Sequence, residues 1–276
     1  MSRRRAGGGV GDALRVEQLQ LRFAGLVALD EVSLRVAEGA IVSLIGPNGA
    51  GKTSLVNCVT GYYRPQGGKV FLYEDDVTRI PTHRLARLGV ARTYQNIELF
   101  DGLSVVDNLM LGRHTRMTTG LWRGGCYTKA ARTEELRQRE VVEELVDFLE
   151  LTAVRKSAVG VLPYGLRKRV DLGRALALEP RLLILDEPMA GMNLEEKEDI
   201  ARFVLEARAA RGLSVLLIEH DMGVVMDLSD HVVVLDFGRL IASGPPDAVR
   251  SDPKVIEAYI GERAMAGRPE AGGPVS

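Results

Sequence analysis

Ala40-Ile41-Val42-Ser43-Leu44-Ile45-Gly46-Pro47-Asn48-Gly49-Ala50-Gly51-Lys52-Thr53 is the stretch that decides the fold. Its first part is a mostly apolar run of strand length, which predicts a buried strand ending where a glycine-rich loop begins. The loop follows the pattern G-x-x-x-x-G-K-[ST], and Lys52 to Val59 reads as a short helix stopped at Gly61. Strand, loop and helix stand in the order that phosphate binding requires. Glycines at 46, 49 and 51 permit backbone conformations that turn successive N–H groups into one concavity. The helix adds its N-terminal partial positive charge beneath the phosphates. The Lys52 ammonium is placed to reach β and γ phosphates, and the Thr53 hydroxyl to ligate Mg²⁺. Gly46, Pro47, Asn48, Gly49, Ala50, Gly51, Lys52, Thr53 and Ser54 are the candidate nucleotide-binding residues.

A second strand, Leu182-Leu183-Ile184-Leu185-Asp186, ends in the carboxylate pair Asp186-Glu187. At such a tip Asp186 is placed to hold Mg²⁺, and Glu187 to orient or deprotonate the water that attacks a γ phosphate. Further strand signals lie upstream at Leu14–Phe23 and Val32–Val36, beyond the loop at Lys69–Tyr73, and downstream at Val215–Ile218 and Val232–Leu235. Helical stretches such as Glu195–Ala209 separate the later ones. Strands alternating with helices predict a mainly parallel sheet covered on both faces. Between about Leu99 and Ala177 the pattern is helical: Val142, Leu145, Val146 and Leu149 fall on one face, with Glu143, Glu144 and Asp147 opposite. A helical subdomain inserted into an α/β core is expected, about residues 98–178, within a single domain spanning 13–262. Flexible tails are expected over 1–12 and 263–276. The glycine-rich stretch His114–Thr128 reads as a loop; its Trp122 is either a contact for a membrane partner or lipid, or a packed loop anchor.

Composition narrows the classes. With 36 basic and 37 acidic residues among 276, net charge is −1, which gives no reason to expect a nucleic-acid partner. Cys58 and Cys126 match no metal or redox spacing and suit a reducing compartment, and the four histidines are scattered, so a metal-only enzyme is not indicated. No segment approaches the roughly 18–20 apolar residues that span a bilayer. The opening Met1–Asp12 carries arginines without an apolar stretch behind them, so it does not read as an export signal. Any membrane role would act through a separate partner.

Taken together, these motifs resemble the nucleotide-binding subunit of an ATP-binding cassette transporter, over about Leu14 to Gly261. The resemblance implies a P-loop NTPase (RecA-like) core with a mainly parallel sheet, an N-terminal antiparallel β subdomain and the helical insertion. It implies ATP hydrolysis with Mg²⁺, and a role for Gln95, in Arg92-Thr93-Tyr94-Gln95-Asn96, as the glutamine that contacts the metal and joins core to helical subdomain. Leu162-Pro163-Tyr164-Gly165-Leu166, followed by an expected helix over Arg167–Leu178, occupies the place of the signature segment, which reaches the γ phosphate held by another subunit. Pro163, Tyr164 and Leu166 depart from the usual serine, glycine and glutamine, leaving Gly165 and backbone N–H groups to make the contact. His220, in Ile218-Glu219-His220-Asp221-Met222, matches the switch histidine, the alternative being a structural residue. Phe23 corresponds to the aromatic that stacks on adenine, the alternative being a core-facing ring. Ala190-Gly191-Met192-Asn193 fills the loop that crosses the dimer interface, with Asn193 where many relatives have aspartate.

Within the family, LPYG at 162–165, AGMN at 190–193, Ile218–Met222 with Val224-Val225-Met226, Asn108–Arg113 and Asp252–Gly261 resemble the branched-chain amino acid importers. This implies a second ATPase subunit as dimer partner (a sister chain or a second copy), transmembrane permease subunits, and indirectly a substrate-binding protein. It also implies a peripheral position on the cytoplasmic side of the cell membrane. Closing of the pair would pull on membrane helices docked near Gln95 and the helical insert. Urea or amide import, lipopolysaccharide export, and a nucleotide-gated scaffold with weak hydrolysis are the competing readings. A soluble cassette working on nucleic acid is disfavoured by the single cassette without coiled-coil or zinc insertions.

Overall fold

The computed structural model describes residues 11–113 and 129–266, with side chains up to Tyr259 outside a short stretch at 129–132. Trp122 and the rest of 114–128 lie outside the described residues, as does most of each expected tail.

Two sheets carry the fold. The first is antiparallel, in the order β2-β1-β4-β5, from Asp12–Phe23 (β1), Leu26–Ala37 (β2), Gly67–Leu72 (β4) and Asp75–Asp76 (β5). The second has the order β10-β9-β3-β8-β7-β6, from Ile41–Ile45 (β3), Val90–Arg92 (β6), Leu182–Asp186 (β7), Ser214–Ile218 (β8), His231–Asp236 (β9) and Arg239–Gly244 (β10). Every neighbouring pair in it is parallel except β9–β10, a hairpin. The expected parallel core and N-terminal antiparallel sheet are both present.

Alternation explains why the central strands read as unbroken apolar runs. Leu182 and Ile184 of β7, with Leu216 and Ile218 of β8, face the antiparallel sheet and its core, alongside Leu55 and Val56. Leu183, Leu185, Val215 and Leu217 face the opposite way into a core shared with the helical segment. Both faces are covered, so the positions of β7 and β8 between their polar ends, Asp186 and Ser214, are all apolar. In β1 the period-two pattern breaks between Val16 and Leu19. A register shift lies there, and Gln18 takes a left-handed φ of 44°.

Among the described residues the α-helices are α1 (Lys52–Val59), α2 (Thr82–Arg87), α3 (Val105–Arg113), α4 (Lys129–Phe148), α5 (Tyr164–Ala177), α6 (Leu194–Arg211), α7 (Met222–Leu228), α8 (Pro246–Arg250) and α9 (Pro253–Ala266). Leu109 of α3, Val142, Leu145, Val146 and Leu149 of and just after α4, and Val170 and Leu172 of α5 pack as one cluster. Gly112 lets α3 approach α5 closely, because a Cβ there would overlap the Arg174 carbonyl. Two boundaries differ from expectation. Helix α5 starts at Tyr164 rather than Arg167, since Pro163, with extended ψ, forms its N-cap. Helix α9 runs to Ala266, past the point where the sequence suggested a tail.

Candidate active site

Sheet register gathers the predicted residues. Leu44 of β3 pairs with Ile218 of β8, and Ile218 pairs with Asp186 of β7. The three strands are parallel, so whatever follows each emerges at the same carboxyl edge: the phosphate loop, Glu219-His220 and Glu187. This is where open α/β sheets bind ligands.

The loop from Gly46 to Thr53 is built from close backbone contacts. Gly46 has φ 147°, and a Cβ there would collide with the Leu235 carbonyl of β9. Gly49 and Gly51 have φ 80° and 100°, and Gly51 is the N-cap of α1. A Cβ on Gly51 would meet the Ala28 carbonyl of β2, while the Gly238 N–H donates to the Ala50 carbonyl at 2.9 Å. Two remote turns therefore clasp the loop. The Lys52 ammonium donates to the Gly46 and Pro47 carbonyls at 2.5 and 2.9 Å, spanning the loop from inside. Asn48, Gly49 and Thr53 are exposed and Ser54 is half-buried, leaving the mouth open to a ligand.

Asp186 is buried at its strand tip, where the Arg92 guanidinium donates to its Oδ2 at 2.6 Å. Arg92 also donates to Asn57 Oδ1 at 2.8 Å, so it joins α1 to the acidic strand. Glu187 holds a left-handed φ of 48°, with its N–H on the Ile218 carbonyl at 2.9 Å. Its carboxylate meets the two other predicted groups: Gln95 Nε2 donates to Oε2 at 2.9 Å, and His220 Nδ1 stands 3.7 Å from Oε1. His220 is more than half exposed, so it is not a packed core residue. The neighbouring Glu219 is 1% exposed and accepts the Met189 and His220 N–H groups at 3.0 and 3.3 Å. Burial pushes its carboxyl above the usual glutamate range.

Phe23 is 42% exposed, at the end of the β1–β2 hairpin whose later residue Ala28 touches the phosphate loop. Its ring packs edge-on to Tyr63, centroids 5.1 Å apart. A core-facing reading does not hold.

The Pro163–Gly165 segment does not turn to the phosphate loop of its own chain. The Tyr164 hydroxyl donates to the Ala190 carbonyl at 3.2 Å, and its ring lies against Gly191. Gly165 abuts the Glu196 carboxylate so closely that a Cβ would overlap it. Glu196 in turn completes a capping box with Asn193, whose Oδ1 accepts the Glu196 N–H at 2.9 Å and whose own N–H donates back at 3.0 Å. Asn193 is thus the N-cap of α6, a role asparagine and aspartate fill equally well.

Arg92 and Lys168 were not singled out by sequence. Lys168 sits inside the basic run 167–169, whose composition does not set it apart from its neighbours. Yet Gly165, Lys168, Leu172 and Ala175 fall at helical spacing on the buried stripe of α5, and that periodicity was the available signal. Burial lowers the Lys168 ammonium from the usual lysine range, opposed by Asp171, Glu219, Glu187 and Asp186. Among the described residues no cluster of three or more His, Cys, Asp or Glu side chains is grouped to hold a metal ion. No described helix is long and apolar enough to cross a membrane.

Comparison with known proteins gives one picture. Residues 29–190 match the model of the ABC transporter family, and residues 239–264 that of the branched-chain amino acid ATP-binding cassette transporter. The high-affinity branched-chain amino acid transport ATP-binding protein BraF of Pseudomonas aeruginosa is 41% identical, over 90% of this chain and 98% of its own. LivG of Escherichia coli, with the same description, is 39% identical over 90% and 98%. A solved structure of the ADP conformation of an ATP-binding cassette of an ABC transporter superposes with TM-score 0.79 at 34% identity. It covers 91% of this chain and 99% of that one.

Proposed function

This chain belongs to the ATP-binding cassette transporter family, and from that premise we propose that it is the ATP-hydrolysing subunit of an importer for branched-chain or related hydrophobic amino acids. The observation that carries the catalytic part is the grouping of Gln95, Glu187 and His220 at the sheet edge that also bears the phosphate loop. In this reading Gly46–Ser54 cradle the phosphates, Lys52 exchanges its loop carbonyls for β and γ oxygens, and Phe23 stacks on the base. Glu187 orients and deprotonates the attacking water, His220 senses the γ phosphate, and Pro163–Gly165 serve the nucleotide of a second subunit.

The donor set suits Mg²⁺. Thr53 offers a hydroxyl, Gln95 a carboxamide oxygen, and Asp186 its Oδ1, since Arg92 takes Oδ2. So sparse a set of oxygen ligands fits an ion held largely by phosphates and water. Bound there, the ion would neutralise developing charge on the transferred phosphoryl group. The signature segment's cis contacts to Ala190 and Glu196 favour a pair of subunits, because they hold it away from its own nucleotide. Its partner is a sister ATPase chain or a second copy, docked on permease subunits at the cytoplasmic face of the membrane.

Glu187→Gln tests the reading. It should keep ATP binding and reduce steady-state hydrolysis by at least about a hundredfold, the scale of a lost general base. Unchanged hydrolysis rejects Glu187. Co-purification from membranes, with the partners identified, tests the transporter assignment; a chain recovered without permease subunits counts against it.

A further inference from the structure

We propose that Lys168 is a positioning residue for hydrolysis: its buried ammonium pins the backbones of Glu187 and Gln95 and so fixes the carboxylate–carboxamide pair. The proposal rests on Glu187 being the catalytic carboxylate.

The basic run on α5 splits. Arg167 turns to Asp101 at 3.0 Å, and Arg169 to Asp199 and Glu150. Lys168 turns inward and is 4% exposed. Its Nζ lies 3.3 Å from the Gln95 carbonyl and 3.4 Å from the Glu187 carbonyl. A buried ammonium is costly unless its donors and its charge are both answered. Here two carbonyls take two of its three donors. Asp171 on its own helix, Asp186 and Glu187 at the β7 tip, and Glu219 beyond β8 supply the opposing charge.

What the ammonium holds is strained. Glu187 occupies the left-handed region at φ 48°, which a residue with a Cβ keeps only when its surroundings over-determine it. Its N–H is fixed by Ile218 at 2.9 Å, and its carbonyl is shared between the Ala190 N–H at 3.3 Å and Lys168 Nζ at 3.4 Å. The strained torsion is held on both sides, and Lys168 supplies the only charged donor to that carbonyl among the described residues. The side chain then points at Gln95 Nε2, 2.9 Å away. Gln95 lies on a separate segment with an exposed side chain, and its backbone is held by the same ammonium. One cation therefore sets the spacing of both groups. A lysine kept only for packing would place its stem, not its charge, between these segments.

The test uses the full chain in its co-purified complex, with Lys168→Met, Lys168→Arg and Glu187→Gln. Lys168→Met should lower kcat on the order of tenfold while KM for ATP stays within about twofold, the pattern of an interaction that matters in the transition state only. Lys168→Arg should recover part of the loss, because it restores donors and charge. Adding Lys168→Met to Glu187→Gln should leave ATP affinity and ATP-driven pairing of subunits unchanged. An unchanged kcat in Lys168→Met, with Glu187→Gln inactive, overturns this proposal and leaves the catalytic reading standing. Loss of pairing in the double variant, or kcat and KM moving together with a lowered Tm, assigns Lys168 to the signature segment or to folding and also overturns it. Should Lys168→Met not fold, the kcat-to-KM split of Lys168→Arg decides. Full hydrolysis by Glu187→Gln overturns both readings.

Discussion

Arg92 of β6 donates to Asp186 of β7 at 2.6 Å, with side chains only 10% and 7% exposed, a buried ion pair between neighbouring strands whose guanidinium also reaches Asn57 of the phosphate-loop helix. Removing one partner leaves the other charge buried and unanswered. Arg92→Met should therefore destabilise the chain by about 3 kcal/mol, read as a lowered urea midpoint at unchanged m-value. Arg92→Lys should not restore it, because an ammonium lacks the fork that serves Asn57 and Asp186 together. A midpoint unmoved in Arg92→Met would show that the pair contributes nothing.

Gly165 is held in cis by Glu196, which predicts an unusual rescue. Gly165→Ala must displace the Glu196 carboxylate and break its capping box, costing about 1 kcal/mol. Glu196→Ala alone should cost a similar amount. The double variant should be less destabilised than the sum, a coupling measurable by a double-mutant cycle of unfolding free energies. Strict additivity would mean that the contact carries no energy.

Phe23 is braced by Tyr63 and open to solvent on its other side. Base stacking on such a ring is worth about 1–3 kcal/mol, so Phe23→Ala should weaken ATP binding roughly tenfold or more. Inorganic tripolyphosphate, which has no base, should bind wild type and variant alike. Equal losses for both ligands would exclude stacking.

How much of this was legible from the chain alone follows from where each constraint resides. The phosphate loop and the runs at 41–45, 182–186 and 214–218 carry their own signal: glycines at fixed offsets, and strands apolar on both faces. Strand β6 is three residues long and exists because β7 lies beside it, so no local pattern announces it. Lys168 stands in a run of three basic residues that sequence does not tell apart, and only the partners Gln95 and Glu187 reveal its inward turn. Gly165 was read as a ligand contact, yet its closest neighbour is Glu196, a constraint invisible in the segment itself. Asn193 was read against the interface, whereas its immediate role is to start α6.

Asp221 supplies a pH signature. It caps α7 through the Gly223 N–H at 3.1 Å and pairs with Lys197 at 2.6 Å, and the Lys197 hydrogen bond holds its carboxyl below the ordinary aspartate value of 3.8. A carboxyl lowered on folding adds stability above its unfolded value, and that stability is lost as pH falls through its folded value. Asp221→Asn keeps the cap and removes the charge. It should be less stable than wild type at pH 7 by under about 1 kcal/mol, as for a partly exposed pair. Well below pH 4 the two should converge. A gap that persists at low pH would point to the cap rather than the charge.

The clasp on the phosphate loop bears on how the chain is made. The Leu235 carbonyl lies close against Gly46, the Ala50 carbonyl accepts the Gly238 N–H at 2.9 Å, and the Asp30 N–H donates to the Gly238 carbonyl at 2.8 Å. During synthesis the loop leaves the ribosome early, but the β9–β10 turn that completes it emerges nearly two hundred residues later. Contacts this distant along the chain form late. A nascent or truncated product ending before Gly238 carries the whole glycine motif without a finished cradle. A ligand that needs the completed cradle would stabilise the full-length chain and not such a fragment.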